Sequence, residues 1–128
     1  MRLLLDTHTF LWFIAGSDRL SDHAKDTIAD GTHEAFLSVA SFWEIAIKVS
    51  LGKLTLGAPF EQLIPEQLQQ NNFQVLGVEL SHLNGLLTLP MHHRDPFDRI
   101  IICQAIEENL TLISVDGHFD AYNINRLW

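Results

Sequence analysis

Basic residues are scarce in this 128-residue chain: 8 Lys+Arg stand against 16 Asp+Glu, for a formal net charge of −8. That balance counts against nucleic acid as a partner, because neutralising phosphate is the usual source of affinity. The objection depends on where the acids sit. Cysteine is nearly absent. The single Cys103 excludes an internal disulfide framework and any Cys-based zinc motif. Its place in Ile100-Ile101-Ile102-Cys103 reads as a buried core thiol. No apolar run approaches the roughly 20 residues of a membrane span. The N-terminus shows no signal-peptide pattern, since its three leucines end at Asp6. The expectation is a cytoplasmic protein. Low-complexity tracts, internal repeats and linkers are also missing. Apolar residues are plentiful, with 47% hydrophobic and 9% aromatic. A single domain over residues 1–128 can therefore bury a sizeable core, whereas two would be cramped.

Punctuation along the chain divides it into alternating strands and helices. Leu3-Leu4-Leu5 reads as a buried strand ending at Asp6. Thr7 to Ala15 is helix-compatible, with Gly16 as its stop. Ser21 caps a second helix through Ala29, and Glu34 to Ser38 forms a second strand. A third helix is expected from about Ser41 to Ser50. Pro59 and Pro65 frame the start of a fourth, which reaches about Gln70. Gln74 to Val78 reads as a strand and Ser81 to Leu87 as a short helix. Asp95 caps a helix with Pro96 first, running to about Glu108, with Asn109 at its C-terminal cap. Thr111 to Val115 is a buried strand ending at Asp116, and a last short strand covers Asn123 to Leu127. The alternation predicts an α/β fold with a mostly parallel sheet.

In such sheets, sites form beyond the carboxyl ends of strands and at helix N-termini. Asp6 and Asp116 directly follow strands. Glu44 and Asp98 fall in the first turns of helices, so four acids distant in sequence converge on one sheet edge. Each has a duller reading. Ser41-Phe42-Trp43-Glu44 suits a capping box, Asp95 and Asp98 suit a negatively charged helix start, and Asp116-Gly117 suits a turn. Asp6, ending a buried strand, needs a partner of some kind. Clustered carboxylates repel, so some protonate unless a cation sits among them. Oxygen donors without cysteine favour Mg²⁺ or Mn²⁺. Those ions activate water and stabilise charge on phosphoryl oxygen, which makes phosphodiester hydrolysis the natural chemistry. The histidines His8, His92, His93 and His118 border the acidic segments without zinc-motif spacing.

At these residues the chain resembles the PIN-domain nucleases, specifically VapC-like toxins of bacterial toxin–antitoxin pairs. The matching stretches are Leu4-Leu5-Asp6-Thr7-His8, Ser41-Phe42-Trp43-Glu44-Ile45-Ala46-Ile47-Lys48 with Gly52-Lys53-Leu54, His93-Arg94-Asp95-Pro96-Phe97-Asp98-Arg99, and Ser114-Val115-Asp116. They occur in family order over nearly the whole chain. The resemblance implies a three-layer α/β/α PIN-like domain and Mg²⁺- or Mn²⁺-dependent RNA cleavage. It maps the acidic quartet onto Asp6, Glu44, Asp98 and Asp116, with Asp6 and Asp98 as first choices for direct metal ligands. It also implies a cognate antitoxin and a homodimer. The continuous apolar run Phe10-Leu11-Trp12-Phe13-Ile14 then reads either as a helix buried on both sides or as part of an apolar groove. An antitoxin segment covering that groove would occlude the metal site.

Around the quartet, Thr7 is a candidate for contacting water or phosphate, or simply a helix-start hydroxyl. Lys48 follows Glu44 by four residues in the favourable order for an intrahelical pair, with phosphate contact as the alternative. Asp95 is a cap that can reach the site. Arg94 and Arg99 are candidates for RNA phosphate contact or for plain surface solvation. Asp120 reads as a solvated loop acid. Two other functions stay open on the residues themselves. One is a phosphatase-type phosphotransfer domain, although Asp6-Thr7-His8 lacks the second aspartate two positions on. The other is a catalytically inactive PIN-like module that binds RNA or protein.

Overall fold

A computed structural model describes all residues from Met1 to Trp128. Five strands, β1 (Arg2–Leu5), β2 (Glu34–Ser38), β3 (Gln74–Leu76), β4 (Thr111–Ile113) and β5 (Arg126–Leu127), form one sheet in the order β3-β2-β1-β4-β5. Every neighbouring pair is parallel; Leu4, for example, registers with Phe36 on one side and Leu112 on the other. Six helices cover the sheet: α1 (Thr7–Ala15), α2 (Asp22–Ala29), α3 (Val39–Ser50), α4 (Phe60–Gln70), α5 (Leu80–Leu86) and α6 (Pro96–Glu107).

Strand periodicity separates the two cores. Side chains alternate across a strand, so Leu3, Leu5, Ala35, Leu37 and Ile113 face one layer. They pack there with Phe10 of α1, Ala24 and Ile28 of α2, Ile45 of α3 and Ile64 of α4. The intervening Leu4, Phe36 and Leu112 face the other layer, with Ile101, Ile102 and Ala105 of α6 and with Phe119 and Tyr122. Helix α5 packs on α6. The result is the expected three-layer α/β/α arrangement. The short apolar runs are uninterrupted because both faces of each central strand are covered.

Several expected boundaries move. Helix α3 begins at Val39, directly after β2, and its cap is Ser38, whose hydroxyl accepts from the Ala40 amide at 3.0 Å. Ser38 keeps extended dihedrals, so strand passes into helix with no loop. Ser41 is therefore a buried interior residue with an unpartnered hydroxyl, not a cap. Glu44 accordingly lies in the second turn, and the capping-box reading of Ser41–Glu44 is withdrawn. Pro65 lies inside α4, not at its start. Helix α5 begins at Leu80, one residue before the expected Ser81, with Glu79 as its cap and His82 closing a reciprocal capping box with it. Strands β3, β4 and β5 are shorter than Gln74–Val78, Thr111–Val115 and Asn123–Leu127, since pairing ends where the partner strands end. Helix α6 stops at Glu107, and Asn109, two residues on, takes the left-handed conformation at φ 53°.

Candidate active site

The strand order reverses between β1 and β4, the position where parallel sheets open a crevice at their carboxyl edge. A cleft of about 390 Å³ lies at this end, lined by Asp6, Glu44, Asp95, Asp98 and Asp116 together with Thr7, His8 and Lys48. The four acids singled out in the sequence thus share one cavity, and Asp95 joins them.

Each carboxylate is placed by a local rule. Asp6 ends β1 and caps α1, its Oδ1 accepting from the Thr9 amide at 2.9 Å. Glu44 is 8% exposed. Its Oε1 accepts from the Thr7 hydroxyl at 2.7 Å, and its Oε2 lies 2.9 Å from Lys48 Nζ one helical turn on. Asp95 caps α6 through the amides of Phe97 and Asp98, at 2.8 and 3.1 Å. That bond presents Asp98 from the third helical position. Asp116 caps the 3₁₀ turn Gly117–Ala121 and bridges two imidazoles. His93 Nε2 lies 3.0 Å from Oδ2, and His118 Nδ1 lies 2.9 Å from Oδ1.

The electrostatics divide the quartet. Glu44 has Lys48 as counter-charge. Asp116 is desolvated, which alone would raise its pKa, but hydrogen bonds from His93 and His118 prevail and hold it below the ordinary carboxylate value. Asp98 has neither kind of support. Burial, then the neighbouring charge of Asp95, with smaller contributions from Glu44 and Asp6, pushes its carboxyl up to about 7 despite the opposing effect of His93. The cleft thus holds a carboxyl whose ionisation burial and acidic neighbours delay to near-neutral pH in the absence of added positive charge.

The donor set fits a hard divalent ion. All five acids offer oxygen, and Asp98 lacks positive charge. No three carboxylate or imidazole groups already stand in the geometry of a closed metal shell. Mg²⁺ needs no such shell, because it is commonly held by one or two carboxylates while keeping several waters. Asp6 and Asp98 are the members without a charged partner, so they would hold the ion. Glu44 and Asp116 would accept from its water shell or complete it.

Other residues fall differently. The Thr7 hydroxyl and the Lys48 ammonium both face Glu44, so each supports a carboxylate within the cleft. Arg99 is turned away from the cluster. Its guanidinium donates to the carbonyls of Leu89, Pro90 and His93, clamping the loop before α6, a role that neither phosphate contact nor surface solvation describes. Asp120 is not merely solvated, because it makes two hydrogen bonds with Arg126 at 2.9 and 3.0 Å. His93 is the residue the sequence undervalued. It stacks on Phe119 with ring centroids 4.5 Å apart, and its amide donates to the Tyr122 hydroxyl at 2.8 Å. These partners lie 23 to 29 residues away, so no local pattern announces them.

No helix is long and apolar enough to cross a membrane. Comparison with curated proteins finds no sequence match. Solved structures with a similar fold include FitAcB from Neisseria gonorrhoeae (TM-score 0.67, 17% identity, covering 98% of this chain and 96% of that one). VapBC2 from Rickettsia felis, bound to a DNA fragment from its promoter, is also similar (0.66, 17%, covering 99% and 98%). So is a toxin–antitoxin complex from Klebsiella pneumoniae (0.67, 15%, covering 98% and 96%). The PIN domain profile matches residues 3–125, a span that includes every residue lining the acidic cleft, and the chain belongs to the PIN domain family.

Proposed function

We propose that this protein is a Mg²⁺- or Mn²⁺-dependent endoribonuclease acting as the toxin of a toxin–antitoxin pair. The observation that carries the reading is the convergence of Asp6, Glu44, Asp98 and Asp116 on one cleft, with Asp98 raised to about 7 by burial and its acidic neighbours. A divalent ion bound there supplies Lewis acidity, lowering the pKa of water and stabilising charge on a phosphoryl oxygen. The chain's own residues do the rest. Asp6 and Asp98 reach the cleft from different elements, one at the β1–α1 junction and one on α6. Thr7 and Lys48 fix both oxygens of Glu44, so that its carboxylate points one way. His93 and His118 keep Asp116 ionised and oriented, ready to accept a proton or hydrogen bond from water. No covalent nucleophile is needed, which separates this reading from phosphatase-type chemistry at Asp6.

The antitoxin partner rests on the assemblies in which similar folds are found, including one described as a toxin–antitoxin complex. A partner segment covering the cleft would block access to its carboxylates. Self-association is supported by an apolar stripe along α3 and its C-cap, where Val39, Trp43, Ile47 and Leu51 recur every four residues and remain exposed. The test is incubation of the purified protein with total and synthetic single-stranded RNA. Cleavage should require Mg²⁺ or Mn²⁺, stop with chelator, and disappear in Asp6→Asn and Asp98→Asn. RNA binding without metal-stimulated cleavage of any substrate would favour a non-enzymatic PIN module. Trapping a phosphoenzyme on Asp6 would favour phosphotransfer.

A further inference from the structure

Next to the acidic cleft lies a second groove of opposite character. It occupies about 580 Å³ between α1 and the segment leading to α4 and shares His8, Trp12 and Lys48 with the cleft. Its volume falls in the range of about 300–1,000 Å³ typical of ligand sites. No acid lines it, whereas Arg19, Lys48 and Lys53 all do. In a chain of net charge −8 this is a concentration of positive charge. Lys48 is already paired with Glu44, so Arg19 and Lys53 are the groove's cations without a partner carboxylate, whereas Arg126 is committed to Asp120, Arg99 to loop carbonyls, and Arg2 to Glu34 and the Glu108 carbonyl. The floor is apolar and aromatic. Trp12 is half-buried and lies 5.6 Å from His8 and 5.9 Å from Trp128 between ring centroids.

We infer that this groove is a single-stranded RNA subsite, holding nucleotides that flank the phosphate in the acidic cleft. The inference rests on the ribonuclease reading. Charge complementarity supports it, since phosphates repelled by most of the surface meet Arg19 and Lys53 here. Continuity supports it too, because Lys48 and Trp12 stand at the junction of the two compartments. Aromatic faces flanked by cations are the usual means of binding single strands without strict sequence readout, by base stacking and phosphate pairing. The groove therefore supplies the affinity that the carboxylate cleft lacks. An acidic amphipathic segment of a partner protein, running from the groove into the cleft, is the alternative occupant that the experiment separates.

The experiment is fluorescence anisotropy with a fluorescein-labelled single-stranded RNA of about 12 nucleotides, a length within known single-strand site sizes. An Asp98→Asn background prevents cleavage during the measurement. Lys53→Ala and Arg19→Ala, both at exposed positions, should each reduce the slope of log affinity against log salt by about 0.7, the value for one single-strand phosphate contact. Trp12→Ala should weaken binding about tenfold or more at fixed salt with the slope unchanged, and Trp12→Phe should retain most of the affinity. If Trp12→Ala fails to fold, the two basic variants decide alone. Unchanged affinity and slope in both would overturn the inference, as would failure to bind RNA. Loss of binding to an acidic peptide or partner protein with RNA binding intact would overturn it in favour of a protein occupant. Two kinetic results separate the claims. Wild-type cleavage with an unaltered KM in the groove variants removes the subsite but leaves the ribonuclease standing. Absence of any wild-type cleavage removes the reading beneath both.

Discussion

Replacing Asp98 by Asn should stabilise the metal-free protein at alkaline pH and leave it nearly unchanged in acid. The Asp98 carboxyl moves from 3.8 to about 7 on folding, mainly through burial and the charge of Asp95. At about 1.4 kcal/mol per pKa unit, this corresponds to a ceiling of about 4 kcal/mol. The group is only half-buried, so solvent screening reduces the expected effect to about 1–2 kcal/mol. A carboxylate in the first turn of α6 also gains about 0.3–1 kcal/mol from the helix N-terminus, which opposes the change without cancelling it. The sign follows from proton binding. Between pH 3.8 and 7 the folded state holds a proton that the unfolded state has released, so stability falls as pH rises through that window. Asn has no charge to form and removes this part of the slope. Urea unfolding followed by tryptophan fluorescence in EDTA, at intervals from pH 4 to 8, measures the difference. The variant should draw level with wild type near pH 4 and exceed it at pH 8. Added Mg²⁺ should then reverse the order, because only wild type retains the full ligand set and gains by linkage. A variant equal to or weaker than wild type at pH 8 in EDTA would refute the electrostatic reasoning.

Other perturbations have equally definite expectations. Lys48→Ala leaves the buried Glu44 without its counter-charge beside Asp6 and Asp98, so the metal-free protein should lose about 1 kcal/mol. Its Mg²⁺-induced rise in Tm should exceed that of wild type, as thermal scans with and without the ion would show. Arg99→Ala releases the carbonyls of Leu89, Pro90 and His93, and should cost about 1–3 kcal/mol while speeding amide hydrogen exchange in the loop before α6. Arg99→Lys should not restore that protection, because a single ammonium cannot replace the planar fork. Tyr122→Phe removes the acceptor for the His93 amide and should cost about 1 kcal/mol in urea unfolding.

The layers and the acidic cleft were legible in the sequence because their signals are local. Leu3-Leu4-Leu5 ending at Asp6, and Asp95-Pro96 opening a helix, each carry a steric or capping reason within a few residues. The α3 start was not legible, since both Ser38 and Ser41 are good caps and only the tertiary position of β2 selects the first. Arg99 had nothing local to distinguish a phosphate-binding arginine from a loop clamp, and its partners lie six to ten residues upstream. His93 gained its role from Asp116, Phe119 and Tyr122, which only the fold brings together. The apolar run of α1 is divided between the core and a groove. Phe10 is fully buried, while Leu11, Trp12 and Ile14 pack partly on the core and also line the basic groove.

Direct binding of Mn²⁺, followed by the electron paramagnetic resonance of the free ion, tests whether the acidic cleft is a cation site. Wild-type protein at pH 8 should deplete the free-ion signal. Asp6→Asn and Asp98→Asn should each restore most of it, whereas Asp120→Asn, outside the cleft, should bind as wild type does. Equal depletion by all four proteins, or none by wild type, would contradict the account.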